Sequence, residues 1–302
     1  MLGGDGFGVA WSQSRDRVSL ATVYYSYIVR DMMNPPTTQA KWRVGWTGIE
    51  EFFNPALTYF NTALATPRAS ADPGGLTFFH RTRYRLYRTS NGAESWQCVM
   101  ETPLAATPAV GASGQCVPPP APPATPPLRQ ALRAGSHPIG ISPEDLDHYG
   151  VLANGGWLYS TIDGGATWTS RNLTVTAAPW PGFNATLAYA SNMKLYVGNE
   201  APTGTTFRAL KSLDGGATWT NISTGLPPVP ISKLIVSPRD PSGNTVYAGT
   251  WLGVYETTDG GTSWHLYGSG LPVVVVSDLY MPTDGSYLRV STYGRGVWET
   301  RF

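Results

Sequence analysis

The chain has 302 residues, of which 14% are charged and 41% apolar, with a formal net charge of +1. That balance excludes a broad basic surface for nucleic acid, and no apolar run approaches the roughly 18 residues needed to cross a bilayer as a helix. The 34 glycines, 26 prolines, 11 tryptophans and 16 tyrosines suit many short strands joined by turns.

The N-terminal Met1-Leu-Gly-Gly-Asp-Gly-Phe-Gly lacks a basic segment followed by an apolar core, so it does not read as a signal peptide. Gly8–Trp11 and the run Leu20–Arg30 read as strands, and Glu50-Glu-Phe-Phe-Asn-Pro as a turn or short helix. Leu76–Phe79 and Tyr84–Thr89 are further strands. From about 101 to 138 the chain carries an insertion containing Val117-Pro-Pro-Pro-Ala-Pro-Pro-Ala-Thr-Pro-Pro127. Proline fixes φ and lacks an N–H, so this run is extended and joins no sheet. Cys98 and Cys116, the only two cysteines, flank the Pro-rich run. They are a candidate disulfide; the alternative is two free thiols.

After the insertion the units are regular. One spans about Ile139 to Leu173 and the next about Asn184 to Leu226. A third has strands at Ile231–Ser237, Thr245–Thr250, Gly253–Thr257 and Ser263–Tyr267. The last starts near Val273 and has three evident strands ending at Phe302.

An eight-residue phrase marks these units: Thr161-Ile-Asp163-Gly-Gly-Ala-Thr-Trp168, Ser212-Leu-Asp214-Gly-Gly-Ala-Thr-Trp219 and Thr257-Thr-Asp259-Gly-Gly-Thr-Ser-Trp264. A worn copy, Thr89-Ser-Asn91-Gly-Ala-Glu-Ser-Trp96, lies upstream, and Trp42 stands where another such tryptophan belongs. The aspartates are 51 and 45 residues apart, the spacing of a repeated supersecondary unit. Each residue of the phrase has a structural task. Asp-Gly-Gly makes a hairpin turn, the carboxylate caps backbone N–H groups of its own turn, and the tryptophan packs between units.

The phrase resembles the Asp-box, or BNR repeat, of sialidases, xyloglucanase-type glycoside hydrolases, sortilin-like receptors and photosystem assembly factors. The resemblance implies an all-β fold, a β-propeller of six four-stranded blades, with seven as the alternative count. The whole chain, 1–302, forms one domain in this reading, with 101–138 inserted in it. The fourth strand of the last blade is expected from the N-terminus, the usual way a propeller ring is closed. In these families the boxes lie on the outer rim, away from the ligand face.

The ligand face is expected where the second and third strands of each blade join. The residues there nominate Arg81, Arg83, Asn199, Glu200, Trp251, Tyr293 and Arg295 as ligand contacts, a set suited to sugar stacking or anion capture. Glycoside hydrolysis in most families needs two carboxylates about 5 to 9.5 Å apart. Glu200 is a weak catalytic candidate without an evident partner, and spacing does not select among Asp5, Glu50, Glu51, Asp278 and Asp284. Where the xyloglucanase-type enzymes place a catalytic aspartate, the matching phrase Gly249-Thr-Trp251-Leu-Gly253 has tryptophan. The sialidase Arg-Ile-Pro phrase is absent. The four histidines lack metal-ligand spacing, and no cofactor motif occurs. The expectation is therefore a secreted or envelope propeller, extracellular or periplasmic, that binds carbohydrate or protein without catalysis. The alternatives are a glycoside hydrolase-like enzyme or a subunit of a larger propeller assembly.

Overall fold

The computed structural model describes residues 8–16, 18–32, 42–102, 131–132, 137–173, 185–200 and 207–302. Twenty-three strands and no helix occur among them. They form six antiparallel sheets arranged as the blades of a β-propeller. Blade one comprises β1 (Val9–Trp11), β2 (Val18–Thr22), β3 (Ile28–Met32) and β4 (Arg43–Val44). Blade two comprises β5 (Leu64–Ala65), β6 (Phe78–Arg81), β7 (Arg85–Thr89) and β8 (Gln97–Glu101). Blade three comprises β9 (Ile139–Ile141), β10 (Tyr149–Ala153), β11 (Trp157–Thr161) and β12 (Thr169–Asn172). Blade four has β13 (Ala185–Tyr189), β14 (Leu195–Asn199), β15 (Ala209–Ser212) and β16 (Thr220–Asn221). Blade five has β17 (Ile231–Val236), β18 (Val246–Thr250), β19 (Gly253–Thr257) and β20 (His265–Leu266). Blade six has β21 (Val276–Tyr280), β22 (Tyr287–Thr292) and β23 (Val297–Arg301).

One expectation changes. Leu20–Arg30 is two strands, because Tyr24–Tyr27 turns the chain, with Tyr25 and Ser26 at φ 54° and 64°. Strand β1 pairs with β2 inside blade one. Residues 1–7, where the fourth strand of blade six is expected, and most of the Pro-rich insertion with Cys116, lie outside the described residues.

The boxes behave as their chemistry predicts. In the box of blade four, Asp214 accepts the Thr218 N–H at 2.8 Å and the hydroxyls of Thr218 and Ser212 at 2.6 and 2.8 Å. Asp163 and Asp259 make the same contacts. Donors crowding a carboxylate favour its charged form. The Thr218 hydroxyl, the largest effect, helps bring Asp214 down to about 2. The worn box keeps the geometry with Asn91, whose Oδ1 accepts the Ser95 N–H at 3.1 Å while Nδ2 donates to Ser95 Oγ at 3.0 Å.

The box tryptophans join blades. Trp96, Trp168 and Trp264 donate their indole N–H to the carbonyls of Gly45, Val99 and Ile222, each on the preceding blade. Five apolar clusters then fill the junctions one–two, two–three, three–four, four–five and five–six. Among the described residues no such cluster spans six and one. That junction holds a hydrogen bond from Thr283 to Gln13 (2.6 Å) and an open cavity.

Candidate functional site

Two places on the ring carry convergent polar or aromatic groups. The first is the central cavity, about 770 Å³, lined chiefly by the inner strands β1, β5, β9, β13, β17 and β21. Strands β17 and β21 each slip register by one residue, between Ile231 and Lys233 and between Val276 and Asp278. A bulge re-aims the side chains that follow it. Here it places Lys233 Nζ 2.7 Å from Asp278 Oδ1, and His137 Nε2 lies 3.2 Å from the same oxygen. Enclosure in the ring opposes the Asp278 charge, but Lys233 and then His137 outweigh it and hold the carboxyl well below the usual range. Enclosure also lowers His137. An acid so firmly ionised is a poor proton donor at neutral pH.

The box-side mouth of this cavity is crossed by the 66–77 loop of blade two. Ser70 Oγ donates to the Pro143 carbonyl of blade three at 2.7 Å, and the Ala69 N–H to Thr283 Oγ1 of blade six at 3.0 Å. Arg68 donates to the Val236 carbonyl of blade five. One loop thus ties blade two to three others.

The second place is the opposite face, where hairpins between second and third strands meet the connections from blade to blade. The segment 45–63 is zippered to two hairpins. Phe53 N–H donates to the Tyr25 carbonyl (2.9 Å), Tyr25 N–H to that of Phe60 (3.4 Å), and Arg83 N–H to that of Leu57 (2.8 Å). Tyr24 and Phe60 stack with centroids 5.7 Å apart, as do Trp46 and Phe52 at 4.5 Å; Tyr25, Tyr27 and Phe53 fill between them. Phe53 sits at φ 59°, as Tyr25 sits at φ 54°, in a region bulky side chains avoid. Phe53 and Phe60 remain half exposed.

The nominated residues divide. Arg81 and Arg83 carry their guanidiniums 4.4 and 4.8 Å from the Tyr59 ring centroid, the cation–π arrangement. Arg81 is buried, and desolvation lowers it to about 10 although Glu200 acts to raise it. Glu200 is therefore near a cation of the next hairpin but one. Asn199 is buried and closes its own hairpin: its N–H donates to the Arg208 carbonyl (2.8 Å) and its Nδ2 to that of Phe207 (3.3 Å). Trp251, Tyr293 and Arg295 are exposed at the hairpins of blades five and six.

Sequence reasoning did not anticipate the gathering of carboxylates at Arg85. Its guanidinium contacts Glu50 at 2.5 Å, Glu101 at 3.2 Å and Glu51 at 3.3 Å, and Tyr87 donates to Glu51. Glu51 and Glu101 are buried, and the group lies outside the cavity lining. The signal was present as Glu50-Glu51 and the Arg81, Arg83, Arg85 alternation, but only the fold brings them together. Among the described residues no group of three His, Cys, Asp or Glu is arranged to hold a metal ion.

Known proteins place this architecture. Among solved structures, YCF48 from Cyanidioschyzon merolae matches at 10% identity with TM-score 0.59, covering 99% of this chain and 82% of that one. Sqt1 from Chaetomium thermophilum matches at 12% identity with TM-score 0.58, covering 97% and 68%. A GH74 enzyme from Niastella koreensis matches at 14% identity with TM-score 0.52, covering 99% and 53%. The chain thus spans about half the length of that glycoside hydrolase. At these identities the likeness establishes the fold alone. No curated protein matches the chain. The family model described as photosynthesis system II assembly factor YCF48 matches residues 128–300, more than half of the sequence, and the chain belongs to this family of BNR-type β-propellers.

Proposed function

We propose that this protein is a non-catalytic propeller of assembly-factor type, which holds a protein partner on its hairpin face. The observation that carries this reading is the aromatic surface built by Tyr24, Tyr25, Phe53 and Phe60. Two of its members stand in the left-handed backbone region, a conformation that costs about 1–3 kcal/mol each and persists chiefly at functional sites. Exposed aromatic side chains of limited rotamer freedom are the usual anchors of protein interfaces. The neighbouring carboxylates Glu50, Glu51 and Glu101 are drawn onto Arg85, and Asp278 onto Lys233, so none of these four is a free acid of the kind a glycosidase uses.

A photo-crosslinking residue at Phe53 or Phe60, compared with one at Ile162 on a box hairpin, tests the assignment in the host cell. Crosslinks to a discrete protein are expected from the first two positions. Crosslinks from Ile162 alone, or hydrolysis of a glycoside that Glu200→Gln abolishes, would overturn it. We further propose an oxidising compartment, on the expectation that Cys98 pairs with Cys116. Alkylation of Cys98 in the denatured, unreduced chain would contradict this.

A further inference from the structure

An asparagine or aspartate followed by glycine is labile toward its own backbone. Glycine has no Cβ, so its amide nitrogen can reach the side-chain carbonyl carbon of the residue before it. Six such pairs lie among the described residues: Asn91-Gly92, Asn154-Gly155, Asp163-Gly164, Asp214-Gly215, Asp259-Gly260 and Asp284-Gly285. In five of them a carbonyl holds the glycine N–H. Gly92 donates to Leu76 at 2.9 Å, Gly164 to Asp147 at 3.1 Å, Gly215 to Met193 at 2.9 Å, Gly260 to Asn244 at 3.0 Å and Gly285 to Pro282 at 2.9 Å. The side chains of these five are held as well. Asn91 Oδ1 accepts the Ser95 N–H and the Thr89 hydroxyl while Nδ2 donates to Ser95 Oγ, and each carboxylate accepts from its own turn.

Asn154-Gly155 is the exception. It forms the tip of the β10–β11 hairpin, beyond the pair of Ala153 with Trp157, and both residues are exposed. Among the described residues neither the Asn154 side-chain amide nor the Gly155 N–H has a hydrogen-bond partner. The backbone on either side is nevertheless fixed. The Asn154 N–H donates to the Ala131 carbonyl at 2.8 Å, and Gly155 takes φ 75°, as a tight hairpin requires. Ala131 and Leu132 in turn bridge two blades. The Leu132 N–H donates to the Arg83 carbonyl of blade two at 2.7 Å, and its carbonyl accepts the Tyr59 hydroxyl at 2.7 Å.

We propose that Asn154 is a site of spontaneous deamidation, at which water converts the side-chain amide to a carboxylate. The Gly155 nitrogen gives its proton to solvent and bonds to Asn154 Cγ. The Cγ–Nδ2 bond breaks, and the nitrogen takes up a proton and leaves as ammonia. Water then opens the cyclic imide at one of its two carbonyls. Opening at one returns the main chain to its normal path with aspartate at 154. Opening at the other routes the main chain through the side chain and leaves isoaspartate. In either case a water is consumed and an ammonia released, with no oxidation or reduction. Both products put a negative charge on the hairpin tip of blade three. Isoaspartate also adds a methylene to the main chain of a tight hairpin, which displaces the N–H that holds Ala131. The bridge between blades two and three is loosened as the molecule ages. Asn91 stays intact, because its box must open before Gly92 can attack.

The full chain is incubated, folded, in mildly alkaline buffer and sampled by peptide mapping with mass spectrometry. The peptide carrying Asn154 is expected to gain the mass difference between amide and acid at least about tenfold faster than the peptide carrying Asn91, since several hydrogen bonds must open at Asn91 first. In the guanidinium-unfolded chain the two sites are expected to react at similar rates, because each then has only its glycine neighbour. Fragment ions that distinguish isoaspartate from aspartate are expected to find both at 154. Hydrogen exchange at the amides of Leu132 and Asn154 is expected to quicken as isoaspartate accumulates. It is expected to stay constant in Asn154→Gln, whose longer side chain closes the imide ring more slowly; circular dichroism confirms that this variant folds. Deamidation at Asn91 that keeps pace with Asn154 in the folded chain overturns the proposal. So does an Asn154 peptide that stays unchanged over the time in which the unfolded chain converts. Isoaspartate at 154 without quickened exchange overturns the loosening of the bridge.

Discussion

The indole N–H of Trp264 donates to the carbonyl of Ile222 at 2.8 Å, so a residue of blade five satisfies a backbone group of blade four. Trp96 and Gly45, and Trp168 and Val99, repeat the relationship. Blades two, three and five are thereby hydrogen-bonded to their predecessors at the rim as well as packed against them. Trp219 has the same position and is buried, yet its Nε1 has no hydrogen-bond partner among the described residues.

This difference gives a direct comparison. Trp264→Phe leaves the Ile222 carbonyl without its donor, at a cost of about 1–3 kcal/mol beyond the lost volume. Trp219→Phe removes an unsatisfied donor and loses only packing. Urea unfolding of the two variants is expected to place Trp264→Phe below Trp219→Phe by at least about 1 kcal/mol. Equal losses would deny the hydrogen bond its role.

At the boxes, charge matters less than acceptor geometry. Asn91 in the worn box already replaces aspartate and reverses one hydrogen bond, with Nδ2 donating to Ser95 Oγ. Asp214→Asn is therefore expected to keep the hairpin at neutral pH by the same reversal at Thr218. Asp214→Ala loses every acceptor and costs about 1 kcal/mol, as removal of a backbone cap does. Below pH 4 the ranking narrows. The folded-state value of Asp214 is depressed to about 2, so its contribution is present above the ordinary carboxylate range and fades as pH falls through 2. Thermal denaturation at pH 7 and pH 2.5 checks both statements.

The boxes and the blades from 139 onward were legible because their information is local: Asp-Gly-Gly turns, period-two strands and a tryptophan at fixed offset. The double strand within Leu20–Arg30 was not, because its turn, Tyr24-Tyr25-Ser26-Tyr27, contains no glycine or proline and takes positive φ without them. The Lys233–Asp278 pair was hidden by two bulges, since a shift of one residue sends a side chain to the opposite face. The hairpin positions of Trp251, Tyr293 and Arg295 were readable from strand order alone. The burial of Arg81 and Asn199 was not, because it depends on the 45–63 segment and on hairpin closure.

His80 supplies a pH dependence. It is fully buried, with Nδ1 2.9 Å from the Ala63 carbonyl and Nε2 2.9 Å from Ser26 Oγ. A carbonyl only accepts, so Nδ1 carries the proton and Nε2 accepts from Ser26. Burial lowers His80 to about 3 from an unfolded value of 6.5. Between those values the unfolded chain binds a proton that the folded chain does not, so stability falls as pH drops below 6.5, by up to about 1.4 kcal/mol per pH unit. His137 is also lowered and adds to the slope. His80→Gln is expected to flatten the dependence between pH 6.5 and 4.5 by one proton's worth. An unchanged slope by urea titration would place the proton elsewhere.

Phe53 separates stability from binding. Its φ of 59° suits glycine, and its ring is half exposed among Tyr24, Tyr25 and Phe52. In Phe53→Gly the relief of backbone strain, about 1–3 kcal/mol, offsets the loss of a partly exposed ring. The midpoint of thermal unfolding is therefore expected to stay within a few degrees of the parent. Partner binding at the hairpin face is expected to weaken about tenfold or more, the signature of an aromatic anchor. Phe53→Ala retains the strain and loses the ring, so it is expected to be less stable than Phe53→Gly and as poor in binding. A Phe53→Gly variant that unfolds far below the parent would show that the ring holds the hairpin face together; one that binds normally would move the anchor to Phe60 or Trp251.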